Sequence, residues 1–371
     1  MPTTPISFAI VGVGWRADFF LRIARALPER FRVIGLVARN ADKGADIEAR
    51  WGVATYRDIP ALLAAHKPEF VVVSVPQPAA PGVIRELAER KIPVLTETPP
   101  APTLEGLLDL WRLVEGGAAL EVAEQYIFQP HHAARLAIIR SGRLGEPSYA
   151  HVSACHGYHG TSLIRHFLRV GFDDATITAR AFEADLVAGP DRRGPPEEEK
   201  VIRSRQVIAQ LDFGAKLGIY DFTGDQYFSW VRARSILVRG PRGEIRNDEI
   251  RHLQDFQTPM LSRLERQDMG GDGNLEGLWH KGIVAGGEWV FRNPFPGVSL
   301  SDDEIAVAQS LEGMGRTARG GVSVYSFAEA AQDQYLSLCI EQAGKSGLPV
   351  RTVRQPWAGA PSPTFRGRGL G

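Results

Sequence analysis

The chain of 371 residues has little of what marks secreted, membrane-bound or nucleic-acid-binding proteins. It has two cysteines, Cys155 and Cys339, which suit a reducing compartment and supply no disulfide framework. No apolar run approaches the roughly 18 residues of a membrane span, and a strand-like run follows the first five residues directly, without a signal peptide. Lys+Arg and Asp+Glu both number 43, so net charge favours neither nucleic acid nor an anionic membrane as partner. We therefore expect a soluble cytoplasmic protein.

The first third of the sequence alternates short apolar runs with segments of helical periodicity. Strands are expected at 6–13, 31–38, 70–75, 93–96 and 119–123, and helices at 16–27, 43–51, 59–65, 81–90 and 104–115. Strands that are apolar on both faces and separated by helices indicate a parallel sheet covered on both sides. The pattern predicts an α/β fold that begins with a Rossmann domain.

The pattern changes after residue 126. A helix at 130–141, with Arg135 and Arg140 exposed, precedes strand-like stretches at 148–155, 176–182, 205–213, 216–222 and 235–239. Consecutive strands without intervening helices predict a large, open, mainly antiparallel sheet, and residues 189–199 read as a surface loop. Two late helices are expected at 301–316 and at 326–343, the latter capped by Gly344.

Length and pattern together predict two domains and a tail. Residues 1–126 form the Rossmann domain, and residues 127–354 form an α+β domain for substrate binding and oligomerisation, with a late helix that can pack back on the first domain. Residues 355–371 are rich in Pro, Gly and Arg and are expected to lack a fixed structure.

A glycine-rich turn follows the first predicted strand and opens the first helix. It reads G-x-G-x-x-A, a variant of the dinucleotide fingerprint, at Gly12, Gly14 and Ala17. Gly12 permits the tight turn, Gly14 lets a pyrophosphate approach the backbone, and Ala17 allows close packing of helix on strand. The alternative is a tight turn without a ligand, but the position between a strand and a helix favours a dinucleotide cofactor.

The end of the second strand bears on the type of cofactor. NAD sites usually place Asp or Glu there to bind the ribose hydroxyls, but this sequence has Ala38-Arg39-Asn40, and its next carboxylate is Asp42. Arg39 can bind a 2′-phosphate, which favours NADP, with NAD as the alternative. Arg39 can otherwise stack on the adenine or face solvent.

Several short segments, taken in order, resemble the Gfo/Idh/MocA family of glucose–fructose oxidoreductase, inositol dehydrogenase and rhizopine-catabolism proteins. Besides the Gly12–Ala17 turn they are Val73-Ser74-Val75-Pro76, the stretch from Lys91 to Pro99, Phe128-Gln129-Pro130, the stretch from Ile139 to Glu146 and the stretch from Leu237 to Gly243. The resemblance implies NAD(P)-linked chemistry on sugars, polyols or related molecules. Part of the family also resembles this chain at Ala123-Glu124-Gln125-Tyr126. With the turn and the end of the second strand, these segments give as the predicted cofactor-binding residues Gly12, Gly14, Trp15, Arg16, Ala17, Arg39, Ser74, Pro76, Glu97, Thr98 and Gln125.

The chain departs from the family at the positions that carry catalysis. The family's Glu-Lys-Pro motif places a lysine beside the nicotinamide, whereas this chain has Glu97-Thr98-Pro99. Thr98 cannot take the substrate proton, because its hydroxyl is too weak an acid and too weak a base. Three other positions have also lost the family's polar residue: the family's Asp and His align with Tyr158 and Ser162, and a family Arg aligns with Ile127. We therefore expect an altered proton relay.

The segment that the family uses to bind substrate supplies the candidates for that relay. Tyr158 or His159 is the predicted proton carrier, ahead of His156 and His166, and Ser162 is the predicted N-cap of the following helix. The alternative is that these side chains bond to neighbouring carbonyls and line an inert cleft. No metal is expected, because His156 and His159 lack a third ligand at a suitable spacing.

Three functions remain open at this stage. The first is an NAD(P)-dependent oxidoreductase acting on a carbohydrate-like substrate. The second is a redox-neutral enzyme, such as the family's NAD-dependent glycosidases or a lyase, and the third is a non-catalytic NADP-binding protein of regulation or assembly. A homodimer or higher homo-oligomer is expected through the open sheet, near Ile219, Phe222, Phe228 and Trp230.

Overall fold

A computed structural model describes residues 4–271 and 277–360 of the chain, and its amino-terminal part is the predicted parallel sheet. Six strands lie in the order β3-β2-β1-β4-β5-β6, and every pair is parallel. The strands are β1 (Ile6–Val11), β2 (Phe31–Val37), β3 (Thr55–Tyr56), β4 (Phe70–Val73), β5 (Val94–Thr96) and β6 (Leu120–Val122). The helices are α1 (Trp15–Ala26), α2 (Ala41–Trp51), α3 (Ile59–Ala65), α4 (Ala80–Glu89) and α5 (Leu104–Glu115). The predicted Rossmann domain is confirmed, with a short strand β3 that the sequence pattern did not indicate.

Local chemistry explains where several of these helices begin. Asn40, Asp58 and Thr103 each cap a helix, because their side-chain oxygens accept hydrogen bonds from free backbone N–H groups of the first turn. All four residues of β4, Phe-Val-Val-Val, are buried, as expected for a central strand covered on both faces.

The second part is built on one sheet of nine strands, in the order β14-β13-β12-β11-β7-β10-β9-β8-β18. Neighbouring strands within this sheet are antiparallel, except for β7 and β10, which are parallel to each other. The strands are β7 (Tyr149–Ser153), β8 (Thr176–Val187), β9 (Val201–Asp212), β10 (Leu217–Thr223), β11 (Ser235–Gly240), β12 (Gly243–Arg246), β13 (Glu249–Leu253), β14 (Pro259–Arg263) and β18 (Val350–Arg351). This confirms the expected large and mainly antiparallel sheet.

Four more helices and a small sheet complete the described chain. The helices are α6 (Pro130–Arg140), α7 (Gly157–Leu168), α8 (Asp302–Ala318) and α9 (Phe327–Ser346). A three-stranded sheet, which the sequence did not predict, consists of β15 (Glu265–Met269), β16 (Trp279–Ala285) and β17 (Glu288–Arg292). No helix in the described ranges is long and apolar enough to cross a membrane.

The late helices join the two parts. α7 and α9 pack on one face of the nine-stranded sheet, so closely that a Cβ on Gly218 of β10 would lie 2.5 Å from a methyl group of Ile164. α8 packs against the parallel sheet, where Ile305 and Leu311 share a buried cluster with Phe8. The domain boundaries at residues 126 and 354 stay a prediction.

Two predictions about helix ends were wrong. α7 begins at Gly157 with His156 at its N-cap, so Ser162 lies inside the helix, where its Oγ is 3.0 Å from Tyr325 Oη. The C-cap of α9 is Gly347 in the left-handed region, three residues beyond Gly344. Both errors have one cause: Ser and Gly are frequent at helix ends but also occur inside helices that tertiary contacts stabilise.

Two further predictions, on the exposure of Arg135 and on the start of the unstructured tail, were also wrong. Arg135 is buried, because its guanidinium donates to the Asn247 carbonyl (2.8 Å) and to the Asp248 carboxylate (3.0 Å). The predicted unstructured tail begins too early, since Trp357 is fully buried and its Nε1 donates to Gln332 Oε1 at 2.9 Å. The remainder of the predicted tail, residues 361–371, lies outside the described residues.

Candidate active site

The glycine-rich turn lies at the carboxyl end of β1 and opens a cleft of about 820 Å³. Gly12 has φ +121°, and a Cβ there would lie 2.0 Å from the Ser74 carbonyl oxygen, so only glycine fits. Gly14 is the N-cap of α1, and a Cβ on it would meet no atom within 4 Å, because this position faces open space. Ala17 is fully buried beneath the turn. A backbone left open at a helix N-terminus fits a pyrophosphate, which is the role expected for this turn.

Nine of the eleven predicted cofactor residues line this cleft: Gly12, Gly14, Trp15, Arg16, Arg39, Ser74, Pro76, Glu97 and Thr98. The other two lie behind the surface. Ala17 packs under the turn, and Gln125 is buried with its Oε1 accepting a hydrogen bond from Arg16 at 3.3 Å. The structure therefore brings the set together around one cleft.

Three cationic side chains, Arg39, Lys43 and Arg57, line the end of the cleft beyond β2. The Arg57 guanidinium donates to the Ala38 and Asn40 carbonyls at 2.8 and 3.1 Å, which fixes it beside Arg39. Sequence reasoning identified Arg39 but missed Lys43 and Arg57. Lys43 lies in the first turn of α2, a position that the predicted start of this helix already contained.

A partly buried ion pair connects α1 with the ends of β5 and β6. Arg16 Nε donates to Glu97 Oε1 at 2.9 Å, and each side chain is 15% exposed. Burial by itself would lower the pKa of Arg16, but the adjacent Glu97 carboxylate raises it above its usual value. The family motif placed Glu97 in the site, and the structure shows that its carboxylate is held by Arg16.

A chain of hydrogen-bonding side chains begins beside Thr98. Tyr158 Oη donates to the Thr98 carbonyl oxygen at 3.2 Å and lies 3.2 Å from His156 Nε2. His156 Nδ1 is 2.5 Å from Tyr227 Oη. We call Tyr158, His156 and Tyr227 the tyrosine–histidine chain. Of its members the sequence favoured only Tyr158, and Tyr227 was missed because it lies 71 residues from His156.

The second predicted proton carrier, His159, points into the protein. Its Nδ1 is 2.6 Å from Glu124 Oε2, and both side chains are buried. Burial raises the pKa of Glu124 to about 8 and lowers the pKa of His159 to about 3. The pair therefore avoids net charge at neutral pH. The His159 ring packs against Tyr158, with 4.3 Å between the two ring centroids.

His166, a lesser candidate, faces away from Thr98 into the contact between α7 and α9. Its Nδ1 is 2.8 Å from the Ser162 carbonyl, and burial lowers its pKa to about 4. In the same contact Arg165 is fully buried between Glu329 and Asp333 of α9, at 2.9 and 2.5 Å. This cluster attaches the helix that carries Tyr158 to the rest of the second part.

The side chains of His156 and Tyr158 also line a second cavity, of about 450 Å³, between α9 and strands β9 and β10. Pro99, next to Thr98, lines it as well. Tyr158 thus lines the second cavity while its hydroxyl bonds to Thr98, which lines the cofactor cleft. Within residues 4–271 and 277–360, no three His, Cys, Asp or Glu side chains are grouped so as to hold a metal ion.

The structure therefore has a cleft suited to a dinucleotide, with the tyrosine–histidine chain and a second cavity beside it. Residues 6–122 match the model of the Gfo/Idh/MocA family, described as an oxidoreductase family with an NAD-binding Rossmann fold. This match over the Rossmann domain confirms the resemblance. Among curated proteins, none matches the chain.

Solved structures share the fold over nearly the whole length. An oxidoreductase from Agrobacterium radiobacter, in complex with NAD+, L-tartaric acid and magnesium, is 18% identical, with a TM-score of 0.67 over 94% of this chain and 98% of that one. An NAD-binding oxidoreductase from Klebsiella pneumoniae is 15% identical, with a TM-score of 0.68 over 95% and 100%. A levoglucosan dehydrogenase in complex with NADH and levoglucosan is 15% identical, with a TM-score of 0.66 over 94% and 99%. At these identities the likeness shows the fold.

Proposed function

We propose that the protein is an NADP-dependent oxidoreductase that acts on a small hydroxylated, carbohydrate-like molecule, with Tyr158 as the proton carrier. The observation that carries the proposal is the contact of Tyr158 Oη with the carbonyl of Thr98, the residue at the position of the family's lysine. Solved proteins of the same fold bind levoglucosan or L-tartaric acid together with a nicotinamide cofactor. The cofactor, when bound, accepts or donates the hydride.

The tyrosine–histidine chain can move the accompanying proton. Burial raises the pKa of Tyr158 and lowers the pKa of His156 to about 3, so both side chains are neutral at pH 7. A neutral imidazole accepts a hydrogen bond at one nitrogen and donates at the other. In this relay the Tyr158 hydroxyl turns from the Thr98 carbonyl towards His156 Nε2, and as Tyr158 takes a proton from the substrate hydroxyl its own proton passes to Nε2. The Nδ1 proton passes to Tyr227 Oη, and Tyr227, which is partly exposed, releases its own hydroxyl proton to solvent. In the reverse direction Tyr158 donates.

The alternatives to this proposal differ in what happens to added cofactor. A redox-neutral glycosidase or lyase would convert substrate without net reduction of NADP+, and a regulatory or assembly protein would bind cofactor without forming product. Net cofactor reduction that is proportional to product supports the oxidoreductase.

The two cysteines are free and buried, which suits a reducing compartment, and we keep a cytoplasmic location as part of the proposal.

We expect wild-type protein to bind NADP(H) more tightly than NAD(H), since Arg39, Lys43 and Arg57 line the far end of the cleft. Arg39→Asp should reverse the order, because a carboxylate repels a 2′-phosphate and binds ribose hydroxyls. Fluorescence titration of both cofactors measures the change. Tighter binding of NAD by wild-type protein would contradict the preference.

Gly14→Val provides the control for that titration. The added side chain would enter open space in the cleft and meet no protein atom within 4 Å of its Cβ, so the fold should remain intact. It should weaken both cofactors alike, because it blocks the approach of the pyrophosphate that they share.

We also propose a homo-oligomer, with a dimer as the simplest form, through the face of the nine-stranded sheet opposite α9. This face carries exposed Ile208 and half-buried Ile219. Phe222, which was expected near this face, is buried on the helix side, while Phe228 and Trp230 are exposed in the segment after β10. Light scattering at micromolar concentration should give a multiple of the chain mass of 40.7 kDa. A single-chain mass would remove the proposal.

A further inference from the structure

The second cavity has the composition of a site for a polar ligand. Its lining combines polar side chains with apolar ones, and the apolar side chains come from strands β9 and β10 and from α9. The polar members are Gln77, His156, Tyr158, Gln334 and Ser337, and the apolar members include Val207, Phe222 and Ile340. Amides and hydroxyls of this kind bind the hydroxyl groups of a small ligand. Tyr158 lines this cavity, and its hydroxyl bonds to Thr98 of the cofactor cleft.

Two charged side chains, Arg205 and Glu341, also line this cavity. The Glu341 carboxylate lies 3.5 Å from Lys345 Nζ, one turn further along α9, which offsets its charge. The Arg205 guanidinium, on β9, makes no hydrogen bond or ion pair with any residue that the structure describes. By contrast, Arg203, two residues earlier on the same strand, donates to Asp185 at 2.8 Å. Arg205 is therefore a cationic side chain in the lining of this cavity whose guanidinium has no partner among the described residues.

We infer that the substrate carries a carboxylate, which Arg205 binds while a hydroxyl of the same molecule faces Tyr158. A guanidinium binds a carboxylate through two parallel hydrogen bonds, which fixes orientation as well as adding affinity. Arg205 and Tyr158 come from different elements, β9 and α7, so a substrate that contacts both would lie across the cavity. The ligand class is a sugar acid, such as a hexuronate or an aldonate. The inference rests on the proposed function, because it places the reacting hydroxyl at Tyr158.

Matched pairs of acid and neutral sugar test this inference. Glucuronate with glucose, galacturonate with galactose, and gluconate with glucitol are titrated by calorimetry into protein saturated with NADP+. At least one acid should bind 10-fold or more tightly than its neutral partner. Arg205→Gln should weaken that acid by about 10- to 100-fold and leave the neutral sugar unchanged. Arg205→Lys should restore part of the loss, because it keeps the charge but not the paired hydrogen bonds.

Arg203→Gln is the matched control. It makes the same change two residues away, at a side chain that is paired with Asp185 and does not line the cavity, and it should leave all affinities unchanged. Equal binding of acids and neutral sugars, no binding of any acid, or an unaltered acid affinity in Arg205→Gln would each overturn the inference. Failure of the proposed function would be seen separately, as absent cofactor binding or as an unaffected Tyr158→Phe enzyme.

Discussion

Tyr158→Phe should lower the turnover rate by about 10²- to 10⁴-fold and leave cofactor affinity unchanged. The replacement removes only the hydroxyl that lies between Thr98 and His156, while the ring keeps its packing against His159. A positioned acid or base contributes about this factor to the rate of a reaction that includes a proton transfer. No other side chain of the tyrosine–histidine chain contacts Thr98 in the described structure. Steady-state kinetics with NADP+ and the best substrate, together with cofactor titration, separate the two effects.

Two further variants, His159→Asn and Tyr149→Phe, should be measured for comparison with Tyr158→Phe. His159 contacts Tyr158 through its ring and is bonded to Glu124, so its loss should have a smaller effect through the position of Tyr158. Tyr149 lies on β7, outside both cavities, and its replacement should change nothing. Unchanged rates in both Tyr158→Phe and His159→Asn would remove the proton-carrier assignment and leave the cofactor assignment in place.

The parallel sheet was predictable because its signals are local. A run such as Phe-Val-Val-Val at β4 has to be buried on both faces, and the Gly12 turn requires a conformation that other residues rarely adopt. The small sheet of β15, β16 and β17 gave no such signal. The Glu-Arg-Gln-Asp-Met sequence of β15 has neither apolar alternation nor a buried residue, so only its pairing with β16 makes it a strand.

The cofactor cleft was more predictable than the proton relay for a related reason. The glycine turn and the end of β2 are short motifs next to strands, whereas the tyrosine–histidine chain joins residues from two distant segments. Tyr227 lies in a short helical turn after β10, and nothing in its own neighbourhood shows that it would contact His156. The start of α7 was missed because His156 caps it without a side-chain hydrogen bond, so no capping residue marks it.

Arg165→Met should destabilise the protein by about 3–5 kcal/mol, the usual result of removing one member of a buried ion pair. Arg165 is fully buried on α7, and its guanidinium contacts Glu329 at 2.9 Å and Asp333 at 2.5 Å on α9. Methionine is of similar length but leaves two buried carboxylates without their cation. Urea unfolding monitored by circular dichroism at pH 8 measures the loss.

Arg30→Met is the matched control, since Arg30 pairs with Glu312 at 2.9 Å but is about half exposed. It should cost less than about 1 kcal/mol, because solvent weakens an exposed pair. A loss of the same size in both variants would show that Arg165 contributes no more than a surface pair.

The loss in Arg165→Met should also depend on pH, with a sign that follows from the Asp333 carboxyl. Burial raises the pKa of Asp333 from a usual value near 3.8 to about 7, although the positive charge of Arg165 by itself would lower it. The folded state therefore binds a proton more tightly than the unfolded state, and the stability that this proton contributes is lost as pH rises from about 4 to about 7. Without Arg165, protonation is the remaining way to neutralise Asp333, so the variant should be closer to wild type at pH 5 than at pH 8. An equal loss at both pH values would mean that the contact between α7 and α9 does not depend on neutralising Asp333, and that Arg165 stabilises it by packing alone.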